Sequence, residues 1–85
     1  MRTAPAPVPA VVWCAEDGRP LRLVLGGERY RVADRPTRLG TAPRVDGRPG
    51  GEGWRLTARR EDGSCEVMDL AVDERGRWTV LARWS

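Results

Sequence analysis

The segment Gly76-Arg77-Trp78-Thr79-Val80-Leu81-Ala82-Arg83-Trp84 decides the fold class. It alternates without interruption. Trp78, Val80, Ala82 and Trp84 fall on one side, and Arg77, Thr79, Leu81 and Arg83 on the other. A period of two, carried by aromatic and β-branched residues, is that of a half-buried β-strand. The other tryptophans, Trp13 and Trp54, also lie in strand-like segments. The terminal strand is therefore read as the one on which an apolar core closes.

Working back along the chain, the same chemistry recurs. Trp54 to Arg60 alternates, with Trp54, Leu56 and Ala58 inward and Arg55, Thr57 and Arg59 outward. Leu21 to Leu25 and Glu28 to Val32 alternate on either side of Gly26-Gly27, which predicts a hairpin with a tight turn. Ala10 to Ala15 is a short apolar run, and Asp17-Gly18 marks the turn after it. Cys65 to Leu70 is strand-like but mixed. Cys65 and Val67 fall opposite Met68 and Leu70, so either both faces are covered or a bulge shifts the register. No segment longer than a few residues has a helical period. The expected fold is all-β, with five to six antiparallel strands in a meander or a small SH3-like partly open barrel. Core candidates are Val11, Trp13, Leu21, Leu23, Leu25, Tyr30, Val32, Trp54, Leu56, Val67, Leu70, Trp78, Val80 and Trp84.

Two regions fall outside this pattern. Residues 1–9 carry proline at positions 5, 7 and 9 and are read as a flexible, extended leader. Residues 34–53 hold Pro36, Pro43 and Pro49 among five glycines and are read as a long loop in a single small domain spanning 10–85. Thr37-Arg38-Leu39 and Pro43-Arg44-Val45 are short extended candidates within it. A chain of 85 residues makes one domain at most and leaves little room for a catalytic cleft. The N-terminus lacks the apolar core of a signal peptide, and no segment is long enough to span a membrane. The expectation is a cytoplasmic protein whose two thiols, Cys14 and Cys65, are reduced, buried and inert.

The composition excludes more chemistry than it offers. There is no His, so neither a Ser-His nor a Cys-His pair exists. The acids Glu16/Asp17, Glu61/Asp62 and Asp73/Glu74 lie in turns, where water keeps them ordinary. Two cysteines alone make no zinc site. Gly47 to Gly53 is glycine-rich without the Gly-Lys-Ser/Thr end of a phosphate loop. The reading is of a chain that is not an enzyme and takes no metal, cofactor or small-molecule substrate.

Charge is the stronger signal. All fifteen basic residues are Arg, and they are unevenly spread. Residues 19–60 carry a net charge of +7 and residues 61–85 carry −3. Arg22, Arg29, Arg31, Arg55 and Arg59 fall opposite the apolar faces of their strands. If those strands share a sheet, these side chains form one basic face suited to a nucleic-acid backbone. Two accounts compete with it: the same face can meet an acidic protein partner, or composition alone makes Arg the solvent-side residue of a chain without Lys. Bases stack on exposed rings, for which Trp13, Tyr30, Trp54 and Trp84 are the candidates; Tyr30 and Trp54 lie on apolar faces, and Trp84 is the aromatic expected to stay partly exposed and the candidate contact for a protein partner.

The order of features also resembles a known family. Asp17-Gly18-Arg19-Pro20, Gly26-Gly27-Glu28-Arg29-Tyr30-Arg31-Val32, Trp54-Arg55-Leu56, Val67-Met68-Asp69-Leu70 and Gly76-Arg77-Trp78 with Ala82-Arg83-Trp84 follow one another as in a small uncharacterised actinobacterial domain. That domain is similar to the C-terminal module of the Y-family-polymerase-like protein of the bacterial mutasome. The resemblance spans roughly residues 17–84. Paired tryptophans common in that family's central gap have no counterpart in residues 35–53 here, and the chain closes on Trp84-Ser85 rather than Trp-Asp. The resemblance implies an all-β, non-enzymatic protein-interaction or accessory module associated with DNA-damage tolerance machinery. The alternative is direct nucleic-acid binding through the arginine face.

Overall fold

The computed structural model describes residues 7–42 and 51–84. It contains seven strands: β1 (Val8–Cys14), β2 (Pro20–Leu25), β3 (Glu28–Val32), β4 (Thr37–Ala42), β5 (Gly51–Arg59), β6 (Cys65–Val72) and β7 (Trp78–Trp84). All pairings are antiparallel, in the order β3-β2-β1-β7-β6-β5-β4. A further pairing of β3 with β5, Arg31 to Arg59 and Val32 to Ala58, closes β1, β2, β3, β5, β6 and β7 into a six-stranded barrel. β4 is the extra strand, laid along the first half of β5. Among the described residues no helix is long and apolar enough to cross a membrane.

The barrel is filled by alternate residues from each strand. Leu23, Leu25, Tyr30, Leu56, Ala58, Met68, Leu70 and Val80 are buried together, with Val8, Ala10, Val12, Val32 and Trp78 packed against them. Truncating a filled position such as Leu56 or Leu70 to Ala costs about 2–5 kcal/mol in cores of this kind. The β2–β3 hairpin turns on Gly26 and Gly27, both at positive φ (58° and 81°), as a two-residue turn with right-handed strand twist demands.

Three register shifts move residues that alternation alone would misplace. Each has a leucine as the extra residue. Between Trp13/Arg22 and Cys14/Pro20, Leu21 is skipped on β2, which leaves it 47% exposed. Between Arg38/Trp54 and Gly40/Gly53, Leu39 is skipped on β4, beside Gly40 at φ 87°. Between Asp69/Ala82 and Leu70/Val80, Leu81 is skipped on β7. That last bulge reverses the end of the terminal strand. Trp78 and Val80 face the core. Ala82 and Trp84 then share the outer face with their partners Asp69 and Val67, and Arg83 turns inward beside Met68. Trp84 is thus half-buried on the outside rather than in the core.

Other expectations shift as well. β1 begins at Val8, so the leader does not run to residue 9, and its inward residues are Val8, Ala10 and Val12. Val11 and Trp13 point outward and are 58% and 43% exposed. Val67, also expected in the core, faces out beside Trp84. Both ends of the expected loop 34–53 are strand, namely Thr37–Ala42 and the start of β5. Residues 1–6 and the candidate Pro43-Arg44-Val45 lie outside the described residues. Cys14 and Cys65 are free and exposed rather than buried, on strands separated by β7.

β3 and β4 meet the same edge of β5, and Asp34 fills the break between them. Ala33 N–H donates to the Thr57 carbonyl at 2.8 Å. The Asp34 carboxylate then accepts from Thr57 N–H and Thr57 Oγ1, each at 2.9 Å. One side chain so replaces a stretch of neighbouring strand. Asp34→Ala is expected to lower unfolding free energy by about 1–2 kcal/mol in urea titration, with Asp34→Asn losing less. Equal stability of all three proteins would show that the bond adds nothing.

Candidate functional site

The outer faces of β1, β2, β3 and β5 carry the site. Register places Trp13 opposite Arg22, Arg22 opposite Arg31, and Arg31 opposite Arg59. With strands about 4.8 Å apart, the three arginines stand on one line across roughly 10 Å. Arg29 lies in the adjoining row, opposite Val24, which is itself opposite Val11. The Arg22 guanidinium rests over the Trp13 ring at 4.8 Å from its centroid. A groove of about 720 Å³ lies on this face, lined by Trp13, Arg22 and Val24 of β1 and β2, by Arg29, Arg31 and Arg59 of β3 and β5, and by Arg60 and the acid Glu61 just past β5, above the buried Leu23 and Tyr30.

These arginines differ from the other strand arginines in what they touch. Among arginines carried on strands, Arg38 pairs with Glu52, Arg55 with Asp69, and Arg83 with Glu66. Among the described residues, Arg22, Arg29, Arg31 and Arg59 form no ion pair. Like charges directly opposite on neighbouring strands repel and destabilise a sheet. The row Arg22–Arg31–Arg59 thus concentrates positive charge that no ion pair among the described residues neutralises, although Glu61 lines the same groove.

Arg55, expected on the same face, is set apart from it. It points outward but stands about 13 Å along β5 from Arg59, with the Asp34–Thr57 contact between them. Asp69 accepts from Arg55 Nε at 2.8 Å and from a terminal nitrogen at 3.0 Å. Those bonds and the carboxylate's charge hold the Arg55 guanidinium above its ordinary pKa. Its plane lies over Trp84, 5.1 Å from the ring centroid. Trp84, Arg55, Asp69 and Ala82 line a separate outer recess of about 400 Å³. The arginine face and the Trp84 surface are therefore two different sectors of the barrel.

One end of the barrel holds an ion cluster that alternation did not reveal. Glu66 is 7% exposed. Arg83 donates to it through Nε at 2.7 Å and a terminal nitrogen at 2.9 Å, and the same terminal nitrogen reaches Tyr30 Oη at 3.1 Å. Arg60 bonds the second Glu66 oxygen, pairs with Glu28 at 3.3 Å and stacks on Tyr30 at 5.2 Å. The opposite end is closed by Arg38, which lies over buried Trp54 at 4.4 Å and donates to the Asp17 carbonyl at 3.2 Å. Arginine therefore has structural roles here that lysine, lacking a planar fork, does not fill.

Trp13, a candidate both for the core and for an exposed stacking ring, faces outward. Val11, Val12 and Trp13 are apolar on both faces, so periodicity carries no sign there. The signal lay in pairing across the Asp17-Gly18 turn, which sets Trp13 against the outward Arg22. No family model, curated protein or solved structure matches this chain.

The ion cluster sets a pH dependence. Hydrogen bonds from Arg83 first, against the cost of burial, hold the Glu66 carboxyl below the usual glutamate range. A depressed folded-state pKa stabilises the fold above the ordinary glutamate value, and that stability is lost as pH falls through the depressed one. Glu66→Gln is expected to cost about 2–3 kcal/mol near neutral pH and to flatten the fall in stability below the ordinary glutamate range. Denaturant melts across acid pH check both. Parallel curves for the two proteins would remove Glu66 as the cause.

Proposed function

We propose that this chain is a non-enzymatic module that binds the phosphate backbone of nucleic acid through the outer face of β2, β3 and β5, acting in the cytoplasm. One observation carries this reading: Arg22, Arg31 and Arg59 stand in line across three strands with no ion pair among the described residues, while the other strand arginines each hold a carboxylate. Arg35, before β4, and Arg75, in the turn before β7, also lack an ion pair among the described residues, but on the strands the unpaired arginines are contiguous: Arg22, Arg29, Arg31 and Arg59 neighbour one another on β2, β3 and β5. Phosphate oxygens accept the guanidinium fork in bidentate fashion and relieve the repulsion within the row. The resemblance noted from sequence supports setting this activity within DNA-damage tolerance.

A second reading, an accessory module that docks a protein, draws on Trp84. Its outward turn beside the recess formed with Arg55, Asp69 and Ala82 offers an aromatic anchor. Binding of that kind survives moderate salt and is lost in Trp84→Ala.

Fluorescence anisotropy with labelled oligonucleotides, titrated at several salt concentrations, tests the first reading. Neutralising three or four phosphates of a single strand gives a slope of log Kobs against log [salt] of about −2 to −3. Changing Arg22, Arg31 and Arg59 together to Ser is expected to flatten that slope by about 2. Changing Arg55 to Ser leaves it nearly unaltered, because Asp69 already neutralises that charge. Absence of binding at low salt, or equal slopes for the wild type and the triple variant, would remove the proposal.

A further inference from the structure

Resting on the backbone-binding reading of the arginine row, we infer that the ligand is single-stranded rather than duplex nucleic acid, with Trp13 as the ring on which a base stacks. Two independent features lead there. The first is the chemistry of the groove. Along its β1–β2 side, Trp13, 43% exposed, and Val24 give an aromatic and apolar surface beside Arg22, and Val11, the exposed partner of Val24, extends it outside the groove. Its β3 and β5 side is cationic, with Arg29, Arg31 and Arg59. A single strand has the same two-sided character, unstacked bases along one side and phosphates along the other. Trp13 and the arginines share one register row, so a base on the ring lies beside phosphates on the guanidinium groups.

The second feature is the architecture. Reading a duplex through its major groove takes a helix or a projecting two-stranded ribbon. The described residues contain no helix. The β2–β3 hairpin does not project, because β2 is paired to β1 and β3 to β5. What the barrel presents is a side wall with an exposed ring. The Trp13 face already holds one flat cationic group, Arg22 at 4.8 Å. A base is a second flat group suited to the same ring, and Arg22 itself stacks on bases.

The test uses the full chain and four labelled ligands of equal length: oligothymidylate, oligouridylate, an abasic deoxyribose-phosphate strand and a blunt duplex. Wild type is compared with Trp13→Leu and Trp13→Phe, each checked for an unchanged thermal midpoint. The wild type is expected to bind at least one base-bearing strand roughly 10-fold more tightly than the abasic strand. Trp13→Leu is expected to bring that strand down to the abasic affinity at an unchanged salt slope, and Trp13→Phe to restore most of the difference. The two base-bearing strands tell DNA from RNA as the source of the same chemistry. Equal affinity of the wild type for base-bearing, abasic and duplex ligands, or no effect of Trp13→Leu, would overturn the inference while leaving the arginine row as a phosphate site. If none of the four binds in a salt-sensitive way, the inference falls together with the reading it rests on.

Discussion

A carboxylate withdrawn from water must be paired, and Glu66 is the group around which this barrel is arranged. Its two oxygens are held by Arg83 from the end of β7 and Arg60 from the end of β5. Arg83 also reaches the Tyr30 hydroxyl on β3. The cluster so ties β3, β5, β6 and β7 at the end of the barrel where the β3–β5 closure is short. It depends on the bulge at Leu81, which turns Arg83 inward. The same bulge sends Ala82 and Trp84 outward, so the core condition and the Trp84 surface have a single cause. Removing one partner of such a cluster leaves a buried charge without compensation, which is far more costly than never having had the pair.

Much of this fold is legible in the residues. The Gly26-Gly27, Asp62-Gly63 and Arg75-Gly76 turns separate strands whose alternation is real over most of their length. What is not legible is where alternation stops. Leu21 and Leu81 look like ordinary strand residues with no local sign of a bulge, whereas Leu39 precedes Gly40, the kind of residue that permits one. Each shift is fixed by the neighbouring strand, through Pro20 against Cys14, Gly40 against Gly53, and Leu70 against Val80. β4 is legible only in part, through the extended candidate Thr37-Arg38-Leu39, for a related reason. Thr37 to Ala42 gains strand character from pairing with β5, while Asp34, in the break before it, supplies the bonds that a continuous strand would have made. The mixed pattern of Cys65 to Leu70 did point to a register shift, but the extra residue sits on β7. Glu66 faces inward in step with Met68 and Leu70.

The candidate site was half legible. Arg22, Arg29, Arg31 and Arg59 were placed on one face by alternation, and the structure brings them together. Arg55 shares the outward direction but is held by Asp69 and Trp84, a distinction that only cross-strand register makes. An arginine-only chain uses that residue in two ways. At the barrel ends it stacks on Tyr30 and Trp54 and satisfies acids, closing the core with flat, charged groups. On the side wall it stands, without an ion pair among the described residues, beside an exposed tryptophan, where like-charge repulsion weakens the sheet. A surface that opposes the stability of its own sheet has a physical rationale when a ligand of opposite charge completes it.

The most direct test follows arginine Nε–Hε and tryptophan indole NMR signals while a short single-stranded oligonucleotide is added. The account predicts that Arg22, Arg29, Arg31, Arg59 and the Trp13 indole move together and saturate at one stoichiometry, while Arg55 and Arg83 stay fixed on their carboxylates. Shifts centred on Arg55 and Trp84, or spread evenly over every arginine, would contradict it.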